Sequence, residues 1–295
     1  MVLPIDQSRF DDVISRVPAL SDTGDLDVRQ LEGGLTNTNY LVTRRGEQFV
    51  VRIVGDNGQI LVTDRAIEES AMRRAVEAGI SPELVLFVQP EGHVVTRYLA
   101  DARPLTIEEF TSPEMVQRLA ERLKRVHGLE AIDGVFDPYA DIWRWLDVLT
   151  ARGTNLPTRL GSLLERVAAI ELLRMPLDQS EIVLCHNDPY HLNFLDDGTL
   201  WLIDWEYAGM GDLWYDLASI GYVLDSDARD LLLESYFGSV TAHMRRDLAS
   251  LICVVLCWNV VWSLIQMHGG VAGFDYLGFA EELLDSVPPG SSPLE

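Results

Sequence analysis

Strand-like patterns crowd the first third of this chain and helix-like patterns fill the rest. That segregation is its tightest constraint on fold. Residues 26–31, 39–43 and 48–54 read as strands, the last two joined by the polar turn Arg44-Arg45-Gly46-Glu47, a hairpin signal. Residues 1–25 read as a helix and a polar turn. Thr63-Asp64 suits the cap of a helix that runs to about Ala78 and stops at Gly79. Residues 94–99 form a further expected strand and residues 101–104 a linker. Helical periodicity then dominates residues 113–127, 143–149, 160–173 and 213–287, broken only by two short apolar strands near 182–184 and 200–203. The pattern predicts an α+β chain of two lobes. A small antiparallel β lobe with one main helix occupies residues 1–99, a hinge 100–105, and a larger, mostly helical lobe 106–295. A cleft is expected at the junction.

The two short strands end in acid. Asp188 follows the first, Asn193 comes five residues later, and Asp204 ends the second. Phosphoryl transfer from a metal nucleotide needs such a set. One carboxylate orients the attacking hydroxyl and accepts its proton, while an Asn and a second Asp hold magnesium against the phosphates. The D-x-x-x-x-N spacing followed by a strand-terminal Asp is the catalytic-loop and metal-site pattern of protein kinases. Asp188, Asn193 and Asp204 are therefore the expected catalytic residues, with Asn193 and Asp204 as metal ligands. His186 titrates in a useful range but is read as a structural ring that fixes the loop. A zinc reading of His186, Asp188 and His191 finds no further ligands in a matching cluster.

Residues 31–40, LEGGLTNTNY, lie between two expected strands. As an ordinary sequence this is a hairpin loop. As a phosphate loop, Gly33 and Gly34 would let the backbone approach the phosphates, and Thr36, Asn37 and Asn39 would offer side-chain donors. Lys124 is the only lysine, so a phosphate-binding cation elsewhere must be an arginine. Arg52, on the strand where a kinase places that cation, is the first candidate and Arg65 the next. Glu68 or Glu69 would orient it. An arginine could grip phosphate oxygens in pairs.

With 23 Lys and Arg against 46 Asp and Glu, the formal charge is −23. That excess of acid disfavours nucleic acid and anionic membranes. Cys185, Cys253 and Cys257 make no metal or disulfide pattern and read as buried thiols in a reducing compartment. The N-terminus lacks a basic and an apolar region, so a cytoplasmic location without a signal peptide is expected. Residues 248–267 carry no charge and are long enough to cross a bilayer, but Asn259, Ser250, Ser263 and Gln266 interrupt them. A core helix is the preferred reading, without membrane insertion.

Aromatic residues gather late in the chain: Trp258, Trp262, Phe274, Tyr276 and Phe279, with Trp205 and Tyr207 flanking Asp204. At helical spacing such residues build cores. They also suit a quaternary ammonium group, which donates no hydrogen bond and is held by aromatic faces worth about 0.5–2 kcal/mol each.

GGLTNTNY (33–40), DRAIEE (64–69), HNDPYHLNF (186–194), LIDWEYAGMGDLWYDLA (202–218) and WSLIQ (262–266) together resemble the choline/ethanolamine kinase branch of the aminoglycoside phosphotransferase superfamily. The resemblance covers most of the chain. It implies a bilobal protein-kinase-like fold that uses ATP and Mg2+ to phosphorylate a small cationic alcohol. Asp188 would be the base, Asn193 and Asp204 the magnesium ligands, and Asp216 a brace for the catalytic loop. Arg52 falls where this branch often has an arginine. Tyr207, Trp262, Phe274 and Phe279 fall where choline kinases place aromatic walls, and Tyr276 lies among them. Asn259 replaces a frequent second tryptophan. Trp258, one residue away, is expected to be turned aside on a regular helix. Choline is the first expected substrate and ethanolamine the second. Thiamine or an aminoglycoside is an alternative acceptor. A non-catalytic pseudokinase module is a further alternative, although every position of the acid–amide set is intact.

Overall fold

A computed structural model describes residues 7–21, 26–31, 34–62 and 64–288. Gly33 and Thr63, both singled out above, lie outside the described residues. Helix α1 (Gln7–Ser15) is followed by strands β1 (Asp27–Gln30), β2 (Asn37–Arg44) and β3 (Glu47–Val54). Helices α2 (Gly58–Leu61) and α3 (Arg65–Glu77) then lead to β4 (Leu84–Val88) and β5 (His93–Arg97). The five strands form one antiparallel sheet in the order β1-β2-β3-β5-β4. Between Arg44 and Glu47, which pair in the β2–β3 register, Arg45 and Gly46 both have positive φ, 50° and 84°. This turn matches the twist of the flanking strands, as tight hairpins require.

Alternation along β3 decides which residues reach the cleft. Phe49, Val51 and Ile53 join Tyr40 and Val42 in a cluster covered by Phe10, Val13 and Ile14 of α1. The period of two then turns Val50 and Arg52 to the opposite face. The side chain of Asp64 caps α3 by accepting from the Ala66 amide at 2.8 Å, and Gly79 follows the helix with φ 63°. Both ends agree with the sequence. Strand β4 was not expected, because an unbroken apolar run does not show strand alternation.

The chain enters the larger lobe through β6 (Arg103–Pro104), which pairs with β8 (Phe194–Asp196). The stretch expected to be a bare linker thus supplies a short edge strand. Helices α4 (Ile107–Phe110), α5 (Pro113–His127), α6 (Pro138–Ala151) and α7 (Leu160–Arg174) precede β7 (Ile182–Cys185). After a 3-10 turn over His191–Asn193, β8 pairs with β9 (Leu200–Leu202), and β10 (Gly209–Asp212) pairs back with β7. Helices α8 (Leu213–Gly221), α9 (Ser226–Phe237), α10 (Ala242–Gln266) and α11 (Tyr276–Asp285) complete the fold.

Helix α10 is long and apolar enough to cross a membrane, yet 83% of its apolar window is buried inside the protein. It packs against α6, α7, α8 and α11, which accounts for a helix apolar on nearly every side. The three cysteines are free and buried.

Candidate active site

Asp216, fully buried in the first turn of α8, organises the loop after β7. Its carboxylate accepts from the His186 amide at 2.9 Å, the Asn187 amide at 2.6 Å and His127 Nε2 at 3.0 Å. Asn187 is thereby held at φ 68°, a left-handed conformation that its short polar side chain tolerates. Its Nδ2 donates to the Tyr207 carbonyl at 2.9 Å. The His186 ring packs on Trp205, Nε2 lies 2.9 Å from the Ile203 carbonyl, and Nδ1 accepts from the Asp188 amide at 3.3 Å. Burial pulls its pKa down to about 4. The ring is therefore neutral, with both nitrogens spent on backbone.

These bonds present Asp188 to the cleft. Asn193 Nδ2 donates to the Asp188 carbonyl at 2.9 Å and to its carboxylate at 3.1 Å. With its amide nitrogen so used, Asn193 keeps Oδ1 as an acceptor-type ligand. Asp204 lies just past β9 at φ 65°, the kind of strained backbone that persists where surroundings over-determine it. It accepts from Arg52 Nη1 at 2.8 Å. Arg52 Nη2 pairs with Glu68 and also donates to the Gly92 carbonyl at 3.0 Å. Glu68, not Glu69, is therefore the partner of Arg52; Glu69 pairs with Arg73 on the surface. Arg65 completes the network, donating to Glu68 at 2.7 Å and to Glu206 at 3.4 Å.

Four carboxylates, Asp188, Asp204, Glu206 and Glu68, surround two guanidiniums here. Burial first, then the charges of Asp204 and Glu206, holds the Asp188 carboxyl well above the usual range. Burial likewise raises Asp204 and Glu206, with Arg52 and Arg65 opposing. Oxygen donors carrying surplus negative charge suit a hard divalent cation such as magnesium. Among the described residues, no cluster of three His, Cys, Asp or Glu donors near enough for one ion includes His186 or His191. The zinc reading has no geometric support.

A cavity of about 470 Å³ opens between the lobes. Leu31, Val50, Met72, Val94, Tyr98 and Leu99 line its apolar end, while Gly34, Thr36, Asn37, Asn39 and Arg52 line the side toward the acids. At Gly34 a Cβ would lie 2.2 Å from the Asn37 carbonyl, so the turn excludes any other residue. Thr36 accepts from Gln266 Nε2 at 3.2 Å, and the Tyr276 hydroxyl donates to the Leu35 carbonyl at 3.1 Å. The end of α10 and the start of α11 thus hold the loop of the smaller lobe.

Beyond Asp188 the wall is aromatic: Tyr190, Tyr207, Tyr222, Trp258, Trp262 and Phe279. Trp262 Nε1 donates to the Tyr207 hydroxyl at 3.1 Å, and Trp258 meets the Tyr207 ring edge-on at 4.9 Å. Of the aromatics singled out in sequence, Phe274 is 38% exposed and does not line the cavity. Tyr276 is also outside the lining, behind Trp262. Trp258 corrects the expectation that it would turn aside: it and Trp262, one helical turn apart, share the cavity face. Glu206, Tyr190, Tyr222 and Gln266 were not picked out from sequence as site residues. Glu206 carried a usable signal, being an acid two residues after Asp204. The others depend on which surfaces meet.

The profile of the family described as choline/ethanolamine kinase matches residues 28–220. The chain is 27% identical to protein LicA of Haemophilus influenzae over 272 residues, covering 86% of this chain and 100% of that protein. It superposes with a TM-score of 0.76 on a choline/ethanolamine kinase family protein from Mesorhizobium loti, at 29% identity over 95% of this chain and 93% of that one. The fold also matches choline kinase LicA from Streptococcus pneumoniae, with a TM-score of 0.78, 22% identity and coverage of 95% and 98%. A structure of LicA in complex with AMP matches with a TM-score of 0.78, 23% identity and coverage of 94% and 96%. With the family profile spanning well over half of a bilobal chain whose cleft gathers an acid, an amide and an arginine–carboxylate network, this protein belongs to the choline/ethanolamine kinase family and is a small-molecule kinase.

Proposed function

We propose that this kinase transfers the γ-phosphoryl group of ATP, with magnesium, to the hydroxyl of a small cationic amino alcohol, choline being the first candidate. One observation carries the reading: a single cavity has the Asp188–Asn193 and Asp204–Arg52 pairs on one side and an aromatic wall around Tyr207 and Trp262 on the other. Residues 1–99 hold the nucleotide, residues 100–105 connect, and residues 106–295 carry catalysis and substrate binding. Adenine fits the apolar slot by Tyr98 and Leu99, and the Gly34 turn with Thr36, Asn37 and Asn39 faces the phosphates. Gly33, the preceding residue in sequence, keeps its assignment to the phosphate loop on the sequence pattern alone. Arg52, braced by Glu68, contacts phosphate oxygens.

Asp188 holds the substrate hydroxyl in line with the γ-phosphorus and takes its proton as the O–P bond forms and ADP leaves. Asn193, Asp204 and the neighbouring Glu206 would hold magnesium through their oxygens, and the ion would supply charge neutralisation to the transferring phosphoryl group. Asp216 and His186 position Asp188 through backbone contacts and touch no reacting atom. An ADP-release screen over choline, ethanolamine, thiamine and aminoglycosides tests the assignment. Choline or ethanolamine should be turned over at the lowest substrate concentration. Turnover confined to an aminoglycoside would overturn it.

Trp262 donates to Tyr207, so Trp262→Ala removes one aromatic face and loosens another. It is expected to raise the KM for choline about tenfold, with a much smaller change in kcat. An equal loss in kcat at unchanged KM would place Trp262 outside the substrate wall.

Ethanolamine is the second candidate, and Asn259 favours it. Its Nδ2 is spent on the Val255 carbonyl at 2.9 Å, so its Oδ1 is the group left for the cavity it lines. A carbonyl oxygen in an aromatic wall rewards a primary ammonium, which can donate, over a trimethylated one. Asn259→Leu should shift the ratio of kcat/KM values toward choline by about tenfold. An unchanged ratio would remove Asn259 from substrate selection.

A further inference from the structure

Helix α5 carries a second concentration of charge, on the side of the larger lobe formed with the β8–β9 hairpin. Arg118, Arg122 and Arg125 stand at i, i+4 and i+7, so they share one face. Arg118 is satisfied: it grips both carboxylate oxygens of Asp196, at 2.6 and 2.8 Å, and donates to the Gly198 carbonyl at 3.3 Å. Arg125 uses one nitrogen, Nη2, on the Ala78 carbonyl at 2.6 Å. Arg122 differs from both. It is only 7% exposed, and its guanidinium has no hydrogen bond or ion pair with any described residue. Its Nη1 is fully covered and without a partner.

That vacancy of partners is unusual in a chain with 46 acids and 23 Lys and Arg. The buried arginines of the cleft, Arg52 and Arg65, each have a carboxylate. An unpaired buried cation is among the costliest groups a protein can hold. Burial and the neighbouring Arg125 and Arg118 pull the Arg122 pKa down to about 10, which still leaves it charged at neutral pH. Arg122 and Arg125 line an open cavity of about 500 Å³ whose other side is the hairpin tip, Gly198 to Leu200. Glu114 and Glu121 also line it; both are exposed, and Glu121 already pairs with Lys124 at 2.8 Å.

We propose that this cavity binds a small oxyanion, inorganic phosphate or a phosphomonoester, between the guanidiniums of Arg122 and Arg125. The planar fork of an arginine matches two oxygens of a phosphate. Its two available guanidiniums, facing one groove, fit a compact dianion. The site lies against the hairpin whose strands lead from Asn193 to Asp204, so occupancy would add a second tie to α5 beside that of Arg118.

The test compares the native chain with Arg122→Met, which keeps an apolar stem and removes the charge, in chloride buffers of matched ionic strength. Inorganic phosphate is titrated while binding and thermal unfolding are followed. The native chain should bind phosphate saturably and melt higher with it. Arg122→Met should lose at least about tenfold in affinity, equivalent to about 1.4 kcal/mol. Without phosphate it should be no less stable than the native chain, and its turnover should be unchanged. Arg125→Gln, at an exposed position, is the second variant and should also weaken phosphate binding.

Phosphocholine, titrated in parallel, separates the two sources. If the component of binding removed by Arg122→Met is tighter for phosphocholine, the ligand is a phosphomonoester; if it is tighter for phosphate, it is the free ion. Equal phosphate affinity in all three proteins, or no saturable binding to the native chain, would overturn the site.

Discussion

Asp188→Asn is expected to lower kcat by about 100- to 10,000-fold, the usual loss on removing a general base, and to raise the melting temperature of the free protein. The two effects have one cause. The Asp188 carboxyl is held well above its ordinary value by burial, then by the charges of Asp204 and Glu206. A carboxyl whose folded pKa exceeds its unfolded pKa contributes most to stability below the unfolded value. That contribution is lost as pH rises through the folded value. Asparagine has no such titration and can still accept from Asn193. The stability advantage of the variant should therefore be absent in acid and grow as pH rises toward neutral. Thermal melts across pH and steady-state turnover check both parts. Near-native turnover would remove Asp188 from the chemistry, and a lower melting point at neutral pH would refute the electrostatic account.

Arg52→Met is expected to cost about 3–5 kcal/mol of stability, as breaking a buried ion pair from one side does, and to abolish measurable nucleotide binding. Arg52 touches Glu68, Asp204 and the Gly92 carbonyl together. Burial opposes its charge, but Glu68, Asp204 and Glu206 outweigh that and hold its pKa above the ordinary arginine value. Without it, among the described residues, Glu68 is left with Arg65 as its ion-pair partner and Asp204 has no side-chain partner. Denaturant unfolding measures the loss. Arg52→Met combined with Glu68→Met should recover part of the stability but none of the nucleotide affinity, because an apolar pair relieves the stranded charge without restoring a phosphate contact. Equal unfolding midpoints for native and Arg52→Met would refute the network.

Much of this molecule is legible because its signals are local. Asp64 before an amphipathic run and Gly79 after it bound α3. The polar turn at 44–47 sets the β2–β3 register, and that register fixes which face Arg52 occupies. The spacing of Asp188, Asn193 and Asp204 reflects one loop and the end of one strand, so their convergence on a single cavity could be anticipated. Strands β4 and β6 were less visible, since an unbroken apolar run and an Arg-Pro edge lack alternation. Strand β10 was hidden for a related reason: in Gly209-Met210-Gly211-Asp212 every other residue is glycine, and Met210 and Asp212 do not make an apolar face.

Local chemistry wrote the caps, the turns, the sheet faces and the acid–amide spacing into the order of residues, because each depends on neighbours within a few positions. Contact between distant segments decided everything else. Packing of α10 turned both Trp258 and Trp262 into the cavity. Folding of α11 against the smaller lobe spent Tyr276 on Leu35 and left Phe274 on the surface. Arg122 was left without a carboxylate among the described residues although acids outnumber Lys and Arg two to one. Whether an aromatic ring faces a ligand or a core, and whether a charge finds its counter-ion, depends on surfaces that meet only once the chain has folded.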